Sequence, residues 1–393
     1  MKKLVKALII ATLTFSSLCN AEPNKYGWDL YGYADQAIVS ANGISLGGSS
    51  NGKLSFNKNE IVVFADKRFE WFDFRSSVGT QDEPRLDKGQ IGIRYMLADF
   101  QSKINDSSLY GLRVGKVPLR LGFYNSWRNN PHYGEYIYLP EGMYKEQFKW
   151  LTMSGWGGQV YYSKELGNST SLTLEAALVK SNLDPNYAIV NGWFNFPDLG
   201  TFDNGSILNI NADLSIKNFK FQYDYNQLKF DFSAIPPWKN NGIVFDRRLS
   251  SGVHTLSVRW YVTPTFDTTA EYIRVFDSEP VMFGYPVGYM LGAKYSVTPR
   301  LKVSFNHSEW YNANDDKNGE RTAALFWWTY LPAHSAYVKS NTLALNYEIN
   351  KNWAVRVQHS LGKGISSYIS SANDYVKDSP KWQYTALQTV YSF

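Results

Sequence analysis

The stretch from Val117 to Met153 concentrates the side chains that could do chemistry. Arg120, Arg128, Lys145 and Lys149 stand there with Glu135, Glu141 and Glu146, and ten aromatic or histidine residues lie among them, including Tyr124, Trp127, His132, Tyr133 and Tyr144. Arg120, Arg128, Glu135 and Glu141, with Tyr124, Trp127 and Tyr133, are its candidate site residues. A connection this long and this apolar is neither an ordinary loop nor disordered chain, so it must pack against something.

Catalytic chemistry is poorly supplied. The five histidines are His132, His254, His307, His334 and His359. His254, His307 and His359 fall on the apolar parity of alternating segments, a poor place for a base, and no hydrolase nucleophile elbow is read. No His or Cys pair has metal-ligand spacing, and Glu309, Asp315, Asp316 and Glu320 lack the spacing of a calcium loop. The reading is a non-enzyme without cofactor or metal.

Around that stretch the periodicity is two. Phe219-Lys-Phe-Gln-Tyr-Asp-Tyr-Asn226 alternates aromatic and polar at every step, as do segments beginning at Ile91, Leu172, Leu208, Leu301, Leu343 and Trp353. Each reads as a strand with one apolar and one polar face. A soluble sandwich and a membrane barrel both alternate, so the connections must decide between them. Short turns are expected at Lys67–Phe69, Ala98–Ser107, Glu165–Thr170, Lys217–Asn218, Thr263–Thr265, Thr298–Arg300 and Asn350–Asn352. Between them fall long connections at Ser40–Lys58, Thr80–Lys88, Val117–Met153, Asn182–Asn204, Asp231–Ser250, Asp277–Pro286, Tyr311–Lys339 and Lys363–Pro380. Short turns on one side and long loops on the other are the habit of outer-membrane barrels. Tyr261, Phe266, Tyr295, Tyr347 and Trp353 flank the short turns as an interfacial girdle would. Fifteen connections make sixteen strands, wide enough for an aqueous channel. Residues 53–79 have the least secure register.

On the polar parity lie Arg94, Arg113, Lys220, Arg259, Lys294, Lys302 and Arg356, with Glu175, Asp213, Asp224 and Glu348, while Glu271 is of uncertain parity. These are the expected lumen-lining residues, and their excess of bases predicts a weak anion preference.

The composition agrees with this class. Aromatics are 16 % of the 393 residues, charged residues 19 %, and the net charge is +5. Disorder is excluded by the aromatic load, and the charge is too small and scattered for a nucleic-acid partner. Residues 1–21 read as a cleaved signal peptide: Lys2, Lys3 and Lys6, an apolar run from Ala7 to Phe15, and small residues before Glu22. Its removal takes the only cysteine and leaves residues 22–393 as one barrel domain. No room precedes the first strand for a plug or hatch.

Two blocks carry a family resemblance. Arg113-Val-Gly-Lys-Val-Pro-Leu-Arg-Leu-Gly-Phe-Tyr-Asn-Ser-Trp-Arg128, followed by Ile137-Tyr-Leu-Pro and Tyr144, resembles the third-loop region of porin-like outer-membrane proteins of Gram-negative bacteria, although Lys116 and Pro118 stand one step closer than in that pattern. The ending Leu387-Gln-Thr-Val-Tyr-Ser-Phe393 resembles the closing strand read by the outer-membrane assembly machinery through Tyr391 and Phe393. The resemblance implies a single all-β transmembrane antiparallel barrel of about sixteen strands, a long third outer loop folded inward to narrow the pore, and often a homotrimer; Arg120, Arg128, Glu135 and Glu141 are then the charges expected nearest the narrowest point, where charge sets ion preference and width sets the size limit. Its expected partners are the lipid bilayer, lipopolysaccharide, that assembly machinery and small hydrophilic solutes and ions diffusing passively. A channel selective for an anion, sugar or small acid, and a non-conducting adhesin or receptor barrel, stay open as alternatives.

Overall fold

The computed structural model describes residues 26–83, 87–125, 134–145, 153–167, 169–180, 200–234, 247–277, 285–325, 332–366 and 380–393. The expected signal peptide lies outside them. Sixteen strands follow in order: β1 (Trp28–Asn42), β2 (Leu54–Arg68), β3 (Asp73–Glu83), β4 (Asp87–Asn105), β5 (Ser108–Pro118), β6 (Ser154–Glu165), β7 (Thr170–Lys180), β8 (Gly200–Ile216), β9 (Phe219–Ala234), β10 (Arg247–Thr263), β11 (Phe266–Asp277), β12 (Val287–Ser296), β13 (Leu301–Tyr311), β14 (Tyr337–Asn350), β15 (Trp353–Lys363) and β16 (Lys381–Ser392). Each pairs antiparallel with its chain neighbours, and β1 pairs with β16 to close the barrel. At that seam Gly32 and Phe393 exchange backbone hydrogen bonds of 2.9 and 3.0 Å. Closure gives every strand two ladders, so no sheet edge is left.

The two faces of the wall explain the alternation. In β9, Gln222, Asp224 and Asn226 are buried, while Tyr223 between them is 41 % exposed. Elsewhere Leu112, Val160, Leu178, Leu256, Leu291, Phe305, Leu343, Leu361 and Leu387 share the exposed face. A water-soluble sheet buries its leucines and exposes its amides; this wall does the reverse. So much contiguous apolar surface far exceeds what soluble monomers expose. No described helix is long and apolar enough to cross a membrane. A closed barrel is the other fold that satisfies its backbone in lipid.

Sixteen strands and one closed barrel agree with the sequence reading. Two connections differ from it. The long connection expected over Thr80–Lys88 is a three-residue link, because β3 and β4 stay paired as far as Glu83↔Asp87. The turn expected over Ala98–Ser107 shrinks to Asp106 and Ser107, with Asn105 opposite Ser108. The reason is common to both. Ladder hydrogen bonds are made by backbone and continue where the sequence no longer shows an apolar face to mark a strand.

Candidate functional site

The connection between β5 and β6 is the candidate site, and its described parts are 119–125, 134–145 and Met153. Its apolar side chains are packed away. Leu119, Leu121, Phe123, Ile137, Leu139 and Met143 are buried in one cluster with Val179, Ile207, Leu228, Phe230, Val253 and Ile273 from the buried face of the wall. The buried face is mixed in character, since Val39, Val62, Phe64, Trp382 and Val390 are buried on it alongside Asp35, Glu60 and Gln388.

Irregular backbone has no ladder to satisfy it, so side chains of the wall take that role. Gly122 sits at φ +60°, and a Cβ there would stand 2.2 Å from the Tyr144 hydroxyl oxygen and 2.7 Å from Glu271 Oε1. Glycine is the residue that allows this turn. The Gly122 N–H donates to Asp224 Oδ2 at 2.7 Å, and the Phe123 N–H donates to Glu271 Oε1 at 2.8 Å. Glu271 also accepts from the Tyr144 hydroxyl at 2.7 Å and from the Ser257 hydroxyl at 2.8 Å. Asn209 and Asn226 donate to the Arg120 carbonyl at 3.1 and 3.2 Å, and Gln222 donates to the Gly122 carbonyl at 3.2 Å.

A second set of grips holds the later part. Gln358 Oε1 accepts from the Ile137 and Tyr138 N–H groups at 2.7 and 3.1 Å, and its Nε2 donates to the Tyr138 carbonyl at 3.0 Å. Asn346 donates to the Gly134 carbonyl at 2.9 Å, and the Gly142 N–H donates to Ser308 at 3.3 Å. The connection thus bonds to side chains from β7 through β15, and those two strands stand half-way round the barrel from each other.

The charges are arranged as pairs. Arg120 Nε lies 3.0 Å from Glu175, which also meets Arg113 at 3.1 Å; Arg113 meets Asp99 at 3.2 Å and lies over the Tyr161 ring. Glu135 meets Lys294 at 2.9 Å and Arg259 at 3.9 Å, and Asp267 meets the same two bases at 2.9 and 3.9 Å. The Arg259 guanidinium stands 5.4 Å from the ring centres of Phe123 and Tyr124. Arg94 pairs with Glu60, Lys220 with Asp213 at 2.9 Å, and Lys302 with Glu348 at 2.5 Å. Arg356, 1 % exposed, donates to Asn346 at 3.1 Å and Gln388 at 3.4 Å.

Within the connection, burial pushes the Tyr124 and Tyr144 hydroxyls well above the usual phenol range. Both therefore stay donors, to Glu135 at 3.2 Å and to Glu271. Lys145 is buried against the Trp310 ring, with its Nζ 3.0 Å from the Ser366 hydroxyl. Burial pulls its ammonium down to about 7, with Glu141 acting in the opposite sense.

Of the expected constriction residues, Arg120, Tyr124, Glu135 and Glu141 are placed in these clusters. Arg128, Trp127 and Tyr133 lie outside the described residues. Arg94, Arg113, Glu175, Lys220, Asp224, Arg259, Lys294, Lys302, Glu348 and Arg356 all sit on the less exposed parity of their strands. Glu271, of uncertain parity in the sequence, joins them. The expected excess of bases does not hold, because Asp35, Glu60, Asp99 and Asp267 share the face. Asp224 acts differently from a simple wall charge, since it binds backbone. The sequence places Asp99 within an expected turn, and Asp267 two residues past one. The amides Gln222, Gln358, Asn209 and Asn226 carry no sequence signal beyond their place on the polar parity. Gly48-Ser49-Ser50-Asn51-Gly52 does match the nucleophile-elbow string, but it joins β1 to β2 and leads into no helix. Among the described residues no group of His, Cys, Asp and Glu could hold a metal ion.

No protein-family model matches the chain, and no curated protein is detectably similar to it in sequence. Solved structures do share its fold. The outer membrane channel DcaP of Acinetobacter baumannii superposes with a TM-score of 0.56 at 14 % identity, over 95 % of this chain and 99 % of that one. The anion-selective porin from Comamonas acidovorans gives 0.56 at 10 % identity, over 93 % and 99 %. OprB of Pseudomonas putida gives 0.59 at 11 % identity, over 93 % and 94 %. The likeness is one of fold.

Proposed function

We propose that the chain is a channel of the Gram-negative outer membrane, through which small hydrophilic solutes and ions diffuse passively. The buried face of the wall is then the lumen, and the connection between β5 and β6 is the constriction. One observation carries this reading. The connection is held by Glu175 of β7 and by Gln358 of β15, on opposite sides of a closed ring. A segment reaches both by crossing the interior. Polar side chains of both signs around that crossing suit passage of hydrated solutes. Since most of the wall bases have acid partners, we infer weak selectivity between cations and anions. Export through residues 1–21, assembly through the seam residue Phe393 with Tyr391, and a trimeric state belong to the same reading. Nothing in it calls for enzymatic chemistry.

The test is to fold the protein into a planar bilayer and record current under a KCl gradient. Stepwise conductance is expected, with a reversal potential within a few millivolts of zero. A heat-modifiable, folded barrel that gives no steps would overturn the channel reading and bring a receptor or adhesin role forward.

A further inference from the structure

The inner face of the wall is dry over most of its depth. On β9, Phe230, Leu228, Asn226, Asp224 and Gln222 are at most 9 % exposed, and Lys220, next towards the short turn, opens to 35 %. On β1, half-way round the barrel, Ala41, Val39, Ala37, Asp35 and Tyr33 are at most 4 % exposed, and Tyr31 beyond them is 39 %. The dry stretch covers residues 222–230 on one strand and 33–41 on the other. At roughly 3.3 Å per residue and a tilt of about 40°, it is about 20 Å deep.

A water-filled lumen keeps its wall polar and wet. Here the outer half of the interior is an apolar core instead. One contiguous cluster takes members from β1, from β16 and from every strand from β7 to β14. Three connections fill it: Ile44 and Leu46 come from the one between β1 and β2, Leu139 and Met143 from the one between β5 and β6, and Ile365 from the one between β15 and β16. The first two connections touch, since a Cβ on Gly47 would stand 2.4 Å from the Tyr138 hydroxyl oxygen. The fill is thinnest beside β5, where the Arg113 and Arg120 side chains keep 23 and 42 % exposure. A hydrated solute loses its water in such a layer at high cost, and an apolar constriction closes a pore by dewetting.

Over this core a polar knot ties three segments together. Lys145 donates to the Ser366 hydroxyl at 3.0 Å, and Ser366 donates to Asn312 Oδ1 at 2.9 Å. Asn312 also accepts from the Trp310 indole N–H at 2.9 Å, and the Lys145 ammonium lies 4.2 Å from the centre of the Trp310 ring. Lys145, Ser366 and Trp310 are buried. The knot stands at the outer mouth, because Trp310 and Asn312 lie at the end of β13 and Ser366 just past β15. A buried network holds its members in one arrangement while every link is made, and a lost partner leaves a buried group short.

We propose that the connection between β5 and β6 is a gate, shut in this conformation, and that the knot of Lys145, Ser366, Asn312 and Trp310 is its latch. Solutes pass while the latch is released and residues 134–145 leave the mouth, which lets water into the core beneath. The fastenings of Arg120, Gly122 and Phe123 lie deeper and hold the other end of the moving part. This rests on the channel reading and adds that the channel is closed at rest.

The test is access of a water-soluble methanethiosulfonate reagent to single cysteines in the full chain, on a C19S background. Val179 is buried in the core, and Ser171 lies exposed on the same face of β7, towards the short turn. V179C is expected to react at least about tenfold more slowly than S171C, because it must wait for opening. Adding N312A/S366A removes two buried hydrogen bonds, so V179C should speed up by at least about tenfold while S171C stays unchanged. The same pair of substitutions should multiply the fraction of time spent in conducting steps in a planar bilayer. S366T keeps the hydroxyl and should behave as wild type, and heat-modifiability on gels checks that each variant is folded. Equal rates for V179C and S171C with the latch intact would overturn the closed core. An N312A/S366A variant that changes neither the V179C rate nor the steps would overturn the latch. Failure of the channel reading looks different: V179C speeds up, yet no variant conducts.

Discussion

The connection between β5 and β6 is fastened by carboxylates and amides together on one side of the barrel and by neutral groups alone on the other. On β7, β9 and β11, Glu175, Asp224 and Glu271 take the Arg120 guanidinium and the Gly122 and Phe123 N–H groups. On β13, β14 and β15 the grips are Ser308, Asn346 and Gln358. The backbone differs between the two places. Around Gly122 it turns, with two successive N–H groups aimed at carboxylates, which only accept, while separate amides, Asn209, Asn226 and Gln222, take the Arg120 and Gly122 carbonyls. Around Tyr138 both N–H and C=O face the wall, and an amide can accept and donate together. Gln358 meets Tyr138 as a neighbouring strand would, from a side chain. Wall chemistry follows the local shape of the segment it holds.

Breaking the carboxylate side should have the largest effect. E271A leaves the Phe123 N–H and the Tyr144 and Ser257 hydroxyls without their acceptor, at roughly 1–3 kcal/mol for each buried donor. Amide exchange over residues 121–125, read by mass spectrometry, should speed up by at least about 100-fold, and single-channel current should grow noisier. Unchanged exchange would show that the carboxylate does not hold the turn. G122A comes next. Its Cβ meets the Tyr144 hydroxyl and Glu271 in a left-handed conformation, a strain of about 1–3 kcal/mol, so the same peptide should exchange faster but less so than in E271A.

Q358A sharpens the comparison by testing independence. It should loosen residues 137–138 by about 1–2 kcal/mol and leave 121–125 as in wild type, because the two grips share no partner. Coupled loosening of both would mean that the connection docks as one rigid unit. The smallest effect concerns pH. Lys145 has its ammonium lowered from 10.5 to about 7 by burial. Between those values the released segment holds a proton that the docked one lacks, so docking strengthens as pH rises through that window. Below about 7 both states hold the proton and the dependence vanishes. Exchange at residues 143–145, corrected for intrinsic rates, should slow from pH 7 to 9 in wild type and stay flat in K145M.

Strand number and the polarity of the two faces were legible because each follows from a period of two in short segments such as Phe219–Asn226. Turns such as Lys217–Asn218 were legible because alternation stops there. The β3–β4 ladder up to Glu83↔Asp87 was not, since no apolar face marks it. Asp99 was assigned to a turn for the same reason, and β4 in fact runs on to Asn105. Parity placed Asp224, Glu175 and Arg259 on one face, but it could not say which of them meet the connection. That depends on where residues 119–125 and 134–145 lie in space, which no local pattern encodes. Glu271 and Gln358 are defined by that placement.

The pairing of β1 with β16 joins residues about 350 positions apart, such as Ile38 and Leu387. Until that seam forms, the sheet has two open borders with unpaired N–H and C=O groups, and each is a template for the wrong strand. Long-range pairing of this kind is slow, and it exposes the chain to aggregation while it waits. The order of events follows: neighbouring hairpins can zip early, closure comes last, and the nascent chain needs shelter for its first strand until the sixteenth arrives.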